Sequence, residues 1–269
     1  MDKKNDSKIE FSQLPFTVMP SKLRATQMGL IVLETDLTIE SEMHLFLSTD
    51  LRDTRAEFSP NLSLLHTRIP CADNVSPETL SNMEKHFSTA LALFPNDHIF
   101  DVVGYGCTSA TLVIGEKKVE ELVKSNINTK EVTTPLTAAK AALKKLGSRK
   151  IGYLAPYISS ISEEMCNDLS SNGFDVSVAA TFGEDRDSIV GLISPNSIFS
   201  AIENLVTESP NLDAIFISCT SLKCQALIHS AEQKFRVPVI SSNSALAWHM
   251  AKLAELNLIP DKKGRLFSY

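Results

Sequence analysis

No stretch of this 269-residue chain approaches the ~20 consecutive apolar residues that a membrane-spanning helix needs. Nor is there a stripe of lysine and arginine with interleaved aromatics, and the formal net charge is −6. Together these speak against a membrane protein and against a nucleic-acid partner. The five cysteines (Cys71, Cys107, Cys166, Cys219 and Cys224) are odd in number and sparse. They form neither a CxxC pair nor a Cys/His ligand pattern, so no disulfide framework and no metal site is expected. His44, His66, His86, His98, His229 and His249 likewise lack metal-ligand spacing. The first 26 residues lack the continuous apolar core of a signal peptide. A reduced, cytoplasmic protein is the expectation. With 43% apolar and 22% charged residues, the chain can build a substantial core.

What the chain does have is a repeat. Asp101-Val102-Val103-Gly104-Tyr105-Gly106-Cys107-Thr108-Ser109 and Asp213-Ala214-Ile215-Phe216-Ile217-Ser218-Cys219-Thr220-Ser221 share one plan. Each opens on Asp, runs through mostly apolar or small residues, and ends in Cys-Thr-Ser. Such a run reads as a buried parallel strand leading into a helix. A cysteine at that junction would face free backbone N–H groups and a helix dipole, which favour thiolate.

Around each copy, strands alternate with helical patterns. Strands are expected at Gln27–Leu33, Asn61–Ile69 and Ile99–Tyr105, then Lys150–Ala155, Phe174–Phe182, Asp213–Ser218 and Val237–Ile240. Ser76-Pro77, Thr134-Pro135 and Ser194-Pro195 are helix starts, with a capping side chain before a proline at the first helical position. The helix from Ser76 spaces Leu80, Met83, Phe87, Ala90, Leu91 and Phe94 along one face. The fold class is therefore α/β: two pseudo-symmetric lobes, each a mainly parallel sheet flanked by helices, with the site in the cleft between them. The expected layout is an arm over residues 1–26, lobes over 27–130 and 131–256, and a tail over 257–269. The last helix is free to pack back on the first lobe.

Ligands of doubly wound sheets bind beyond the carboxyl ends of the strands. There Cys107 and Cys219 could flank one ligand. Thr108, Ser109, Thr220 and Ser221 offer hydroxyls and backbone donors for a carboxylate. A thiol can move a proton next to a carboxylate or add to an activated double bond. Cys71, Cys166 and Cys224 read as packing residues.

GCTSAT around Cys107, SCTSLK around Cys219, SSNSALAWHM from Ser241 and LIVLETDLTIE from Leu30 together resemble the Asp/Glu racemase superfamily. The resemblance is to the branch that holds maleate cis–trans isomerases and the racemase-like proteins of ectoine utilisation, and it covers about residues 27–256. It implies an enzyme without metal or organic cofactor, a small-molecule carboxylate substrate, possible homodimers, and Cys107 and Cys219 as paired catalytic thiols. Racemases of this kind pass a proton between two thiols; maleate isomerases add one cysteine to the alkene. Arylmalonate decarboxylases keep only the second cysteine, so Cys107 argues against decarboxylation. Tyr157 matches a substrate-contacting tyrosine of the isomerases.

Two departures bear on the substrate. Glu34-Thr35-Asp36 stands where the isomerase pattern carries Ser-Ser-Asn, and Asp187 aligns with a substrate-binding Asn. Asn donates to a carboxylate, whereas ionised Asp only accepts. Thr35, Asp36 and Asp187 are therefore expected to favour a substrate bearing an amine, such as an amino acid or an N-acetylated diamino acid, over a dicarboxylate. Maleate isomerisation and non-catalytic binding of a small carboxylate are the alternatives.

Overall fold

The computed structural model describes residues 11–18, 25–48, 62–260 and 262–269. Most of the arm expected over residues 1–26, and Asn61 at the start of the second expected strand, lie outside that set. The first lobe opens with β1 (Thr26–Leu33), α1 (Ile39–Phe46) and β2 (Leu62–Ile69). Next come α2 (Pro77–Asn82), α3 (Phe87–Leu91), β3 (Ile99–Tyr105), α4 (Thr108–Ile114), α5 (Glu116–Lys124) and β4 (Asn128–Thr133). The second lobe holds α6 (Pro135–Lys145), β5 (Lys150–Ala155), α7 (Ser159–Ser171), β6 (Asp175–Thr181), α8 (Asp187–Val190) and α9 (Pro195–Glu208). It closes with β7 (Ala214–Ile217), α10 (Gln225–Phe235), β8 (Val239–Ser241) and α11 (Ser242–Leu253).

The two sheets are wholly parallel, with orders β2-β1-β3-β4 and β6-β5-β7-β8. The two orders superimpose, so the repeat strands β3 and β7 hold the same place in each lobe. Their leading aspartates also do matching work. Asp101 accepts the Gln27 N–H at 2.8 Å, and Asp213 accepts those of Arg149 and Lys150 at 2.9 and 2.7 Å. Each ties its strand to the start of the strand beside it.

The capping signals act as the sequence suggests. Ser76 and Thr79 form a reciprocal capping box, Thr134 and Ser194 each accept an N–H from the first turn of their helix, and Ser241 with Ser244 caps α11. Four details differ from the sequence reading. The helix from Pro77 is interrupted by a 3₁₀ turn over Met83–His86, although Leu80, Met83, Phe87 and Phe94 all face the core. The helix after Cys107 is two helices, α4 and α5, parted by Gly115 at φ 93°. No helix begins at Ser221; α10 starts at Gln225. The lobe boundary expected between residues 130 and 131 falls inside strand β4, which pairs with β3 at the sheet edge.

α11 crosses back to the first lobe. Its Met250 and Leu246 side chains lie against Gly104, where an added Cβ would sit 2.7 Å from the Met250 sulfur. His249 Nδ1 shares a hydrogen bond with Thr133 at 2.8 Å. The segment expected as a tail docks too: Phe267 stacks on Phe46 at 5.4 Å, and Lys263 donates to the Ser48 carbonyl at 2.7 Å. Among the described residues, no helix is long and apolar enough to cross a membrane.

Candidate active site

The loops that leave β1, β3, β5 and β7 converge on one cleft between the lobes, with about 430 Å³ of space free of protein atoms. Thr35, Cys107, Thr108, Ser109, Tyr157, Asp187, Cys219 and Thr220 line it. Eight of the ten residues singled out from the sequence thus meet in one place. Leu33, Val75, Leu80 and Met83 supply an apolar wall. Among the described residues no lysine or arginine is part of the lining, so the groups these residues offer a carboxylate are hydroxyls and backbone N–H groups.

The other two residues stand behind the cleft. Asp36 is fully buried, and its Oδ1 accepts the N–H groups of Thr38 and Ile39 at 2.7 and 2.9 Å. It ties the start of α1 and does not form part of the lining. Its Oδ1 serves the backbone two and three residues on, while its Oδ2, also buried, has no hydrogen-bond partner among the described residues, so the expected contact with a substrate amine has no counterpart in the lining. Ser221 donates to Asp187 Oδ1 at 3.0 Å, while Thr35 donates to the other Asp187 oxygen. Asp187 is thus a cleft residue whose two oxygens gather one hydroxyl from each lobe.

The two cysteines are held differently. Cys107 caps α4, and its sulfur accepts the Ala110 N–H at 3.3 Å and meets the Ser109 hydroxyl at 3.7 Å. Cys219 sits on an irregular turn at φ 140°, a conformation that costs a non-glycine residue about 1–3 kcal/mol. Its N–H donates to Ser242 Oγ at 3.0 Å, and that hydroxyl also meets Thr108 Oγ1 at 2.8 Å. Ser242 therefore joins the two Cys-Thr-Ser turns. Thr38 Oγ1 donates to the Ser221 carbonyl at 2.9 Å and Thr220 Oγ1 to the Gly106 carbonyl at 3.2 Å, so first-lobe atoms brace the second-lobe turn.

The thiolate expected from a helix start is not favoured in this cleft. Burial pushes the Cys107 thiol up to about 12, with the Ala110 N–H and Ser109 hydroxyl opposing and the Asp187 charge adding to the rise. Cys219 is raised too, by burial first and then by Asp187, against the Ser221 N–H. Tyr157 is raised well above its usual value by burial and by Cys219. Both shifts favour the neutral thiol over the thiolate.

One neighbour was missed in the sequence. Cys71 lines the same cleft, 3.2 Å from the Thr35 hydroxyl, although its place after Pro70 reads as packing. Ser242, Asn243 and Glu42, described below, carried no chemical signal beyond the SSNSALAWHM stretch.

With the geometry in place, comparison with known proteins is decisive at family level. The arylmalonate decarboxylase family model matches residues 92–267. The chain belongs to the arylmalonate decarboxylase family. Within the wider Asp/Glu racemase superfamily, this family member is most akin to the maleate isomerase branch. It is 27% identical over 248 residues to the maleate isomerase of Nocardia farcinica, covering 89% of this chain and 94% of that protein. The structure of a Nocardia farcinica maleate cis–trans isomerase variant with a covalently bound succinylcysteine intermediate matches with a TM-score of 0.79 and 25% identity. That match covers 90% of this chain and 98% of the other. A liganded arylmalonate decarboxylase variant, with one glycine changed to cysteine and one cysteine to serine, matches at 0.73 and 20%, over 90% and 99% of the two chains. Three thiols, those of Cys71, Cys107 and Cys219, are part of the cleft lining in this family member.

Proposed function

We propose that the protein is a thiol-dependent isomerase that moves a proton at the α-carbon of a small carboxylate, between Cys107 on one side and Cys219 on the other. The observation that carries this reading is that both thiols line one cleft whose wall also holds Asp187 and, among the described residues, no lysine or arginine. One thiolate removes the α-proton and the opposite thiol returns one to the other face. The Ser109 hydroxyl and the backbone N–H groups of the two Cys-Thr-Ser turns, at Thr108 and Thr220, are the donors suited to the carboxylate.

The substrate class follows from charge. Both thiols are held in the neutral form by burial and by the Asp187 carboxylate. A substrate ammonium would pair with Asp187 and at the same time lower the thiol pKa, helping to form the base that the reaction needs. A dicarboxylate would do the reverse. An amino acid or an N-acylated diamino acid therefore fits better than maleate. The competing reading, maleate isomerisation by cysteine addition, is favoured by the relatives' names and by the succinylcysteine in the Nocardia structure. Incubation in D2O with L- and D-amino acids, N-acetyl-diaminobutyrates and maleate separates the two. Deuterium at an α-carbon supports the first reading, and fumarate appearing from maleate supports the second.

A further inference from the structure

The strained turn that carries Cys219 is not self-supporting, and its support lies outside the cleft. Asn243, in the first turn of α11, is fully buried. Its Nδ2 donates both hydrogens, one to the Thr220 carbonyl at 2.8 Å and one to Glu42 Oε2 at 2.9 Å. Both partners are acceptors, so the amide must present its nitrogen here. The other oxygen of Glu42 accepts the N–H groups of Cys224 and Gln225 at 2.6 and 2.7 Å. Glu42 lies on α1 of the first lobe and is nearly buried, yet it caps α10 of the second. One carboxylate thus holds both ends of the segment Thr220–Gln225, directly at one end and through Asn243 at the other.

We infer that Asn243, fixed by Glu42, is the positioning residue that keeps the Cys219 turn closed. Neither side chain lines the cleft, so neither touches substrate. A buried carboxylate and amide cost desolvation that apolar residues of the same size would not, and here the backbone groups they engage, the Thr220 carbonyl and the Cys224 and Gln225 N–H groups, all belong to this one segment. Without the clasp, the Thr220 carbonyl loses its donor, the φ of Cys219 relaxes, and its sulfur swings out of line with Cys107. This role rests on the reading in which Cys219 acts on substrate, but its test does not require knowing the substrate.

The test is site-resolved alkylation with iodoacetamide across pH 7–11, read by mass spectrometry of the Cys107 and Cys219 peptides, in wild type, Asn243→Ala and Glu42→Gln. The glutamine keeps the shape and the backbone acceptor of Glu42 but turns a donor toward Asn243, which forces the amide away from Thr220. The account expects the Cys219 profile to move toward that of an ordinary thiol, with alkylation at fixed pH faster by about tenfold as burial is relieved. Cys107 should change less than about twofold, since its cap is local to α4. Turnover, where a substrate is found, should fall roughly a hundredfold in kcat with KM moved far less. A Cys219 profile that matches wild type in a folded variant overturns the inference, as does an equal change at both thiols. Should Asn243→Ala not fold, Glu42→Gln alone decides. A selective Cys219 shift in a protein that turns over no carboxylate would uphold the positioning role and count against the isomerase reading instead.

Discussion

Asp187, in the second lobe, accepts a hydrogen bond from the Thr35 hydroxyl of the first lobe. With Ser221 donating to its other oxygen, both oxygens of this cleft-lining carboxylate accept a hydroxyl, one from each lobe. That single relationship sets the electrostatic sign of the site.

Replacing Asp187 by asparagine should invert it. Asp187→Asn removes a charge that raises both thiols and adds a donor. Binding of maleate, followed by calorimetry, should tighten by about tenfold or more, and amine-bearing ligands should weaken by a similar factor. The pH at which both cysteines alkylate should fall.

Asp36→Asn should act on α1 instead of on ligand choice. Asp36 Oδ1 serves two backbone N–H groups, and burial raises its carboxyl. The variant should retain the relative affinities of amine and dicarboxylate ligands. Asp36→Ala should lower stability by ~1 kcal/mol, measured by urea unfolding.

Stability should decline at alkaline pH, and the sign can be worked out. The folded state keeps the Cys107 proton up to about pH 12, whereas an unfolded cysteine releases it near pH 8.5, about the ordinary value. Folded protein then binds more protons than unfolded protein, so this contribution is complete below the lower value and disappears as pH rises toward the upper one. Cys219 and Tyr157 push the same way. Urea midpoints measured from pH 8 to 11 should fall in wild type and fall less steeply in Cys107→Ala.

The interlobe packing of α11 gives a structural test. A Cβ at Gly104 would meet the Met250 sulfur at 2.7 Å and Leu30 at 3.3 Å. Gly104→Ala should cost about 1–3 kcal/mol in thermal or urea unfolding. A neutral result would mean that α11 does not seat on β3 as described.

Much of this was legible in the chain because β3 and β7 announce themselves twice, with the same Asp at one end and Cys-Thr-Ser at the other. Buried parallel strands are continuous apolar runs, and the capped proline starts at Pro77, Pro135 and Pro195 leave little ambiguity. Strand β4 was hidden because Asn128-Thr129-Lys130-Glu131-Val132-Thr133 is an edge strand with only Thr133 fully buried, so it lacks the buried pattern. The surroundings of Asp36 were not legible because a carboxylate in a loop after a strand can face ligand or backbone, and only the fold shows that its Oδ1 accepts from Thr38 and Ile39. The helix expected at Ser221 failed since the turn is held by distant side chains, Ser242 and Asn243, whose partners no local pattern reveals. The thiol pKa values went the opposite way to the dipole argument because burial outweighs one N–H contact.

The central claim is that Cys107 and Cys219 act on opposite faces of one α-carbon. Proton NMR in D2O with the amino-acid and N-acetyl-diaminobutyrate panel tests it most directly, with wild type beside Cys107→Ser and Cys219→Ser. The account predicts α-deuterium incorporation with inversion in wild type and a fall of about a thousandfold or more in each variant. Full inversion surviving in either serine variant, or maleate converting to fumarate with no α-exchange in any amine-bearing carboxylate, would contradict it.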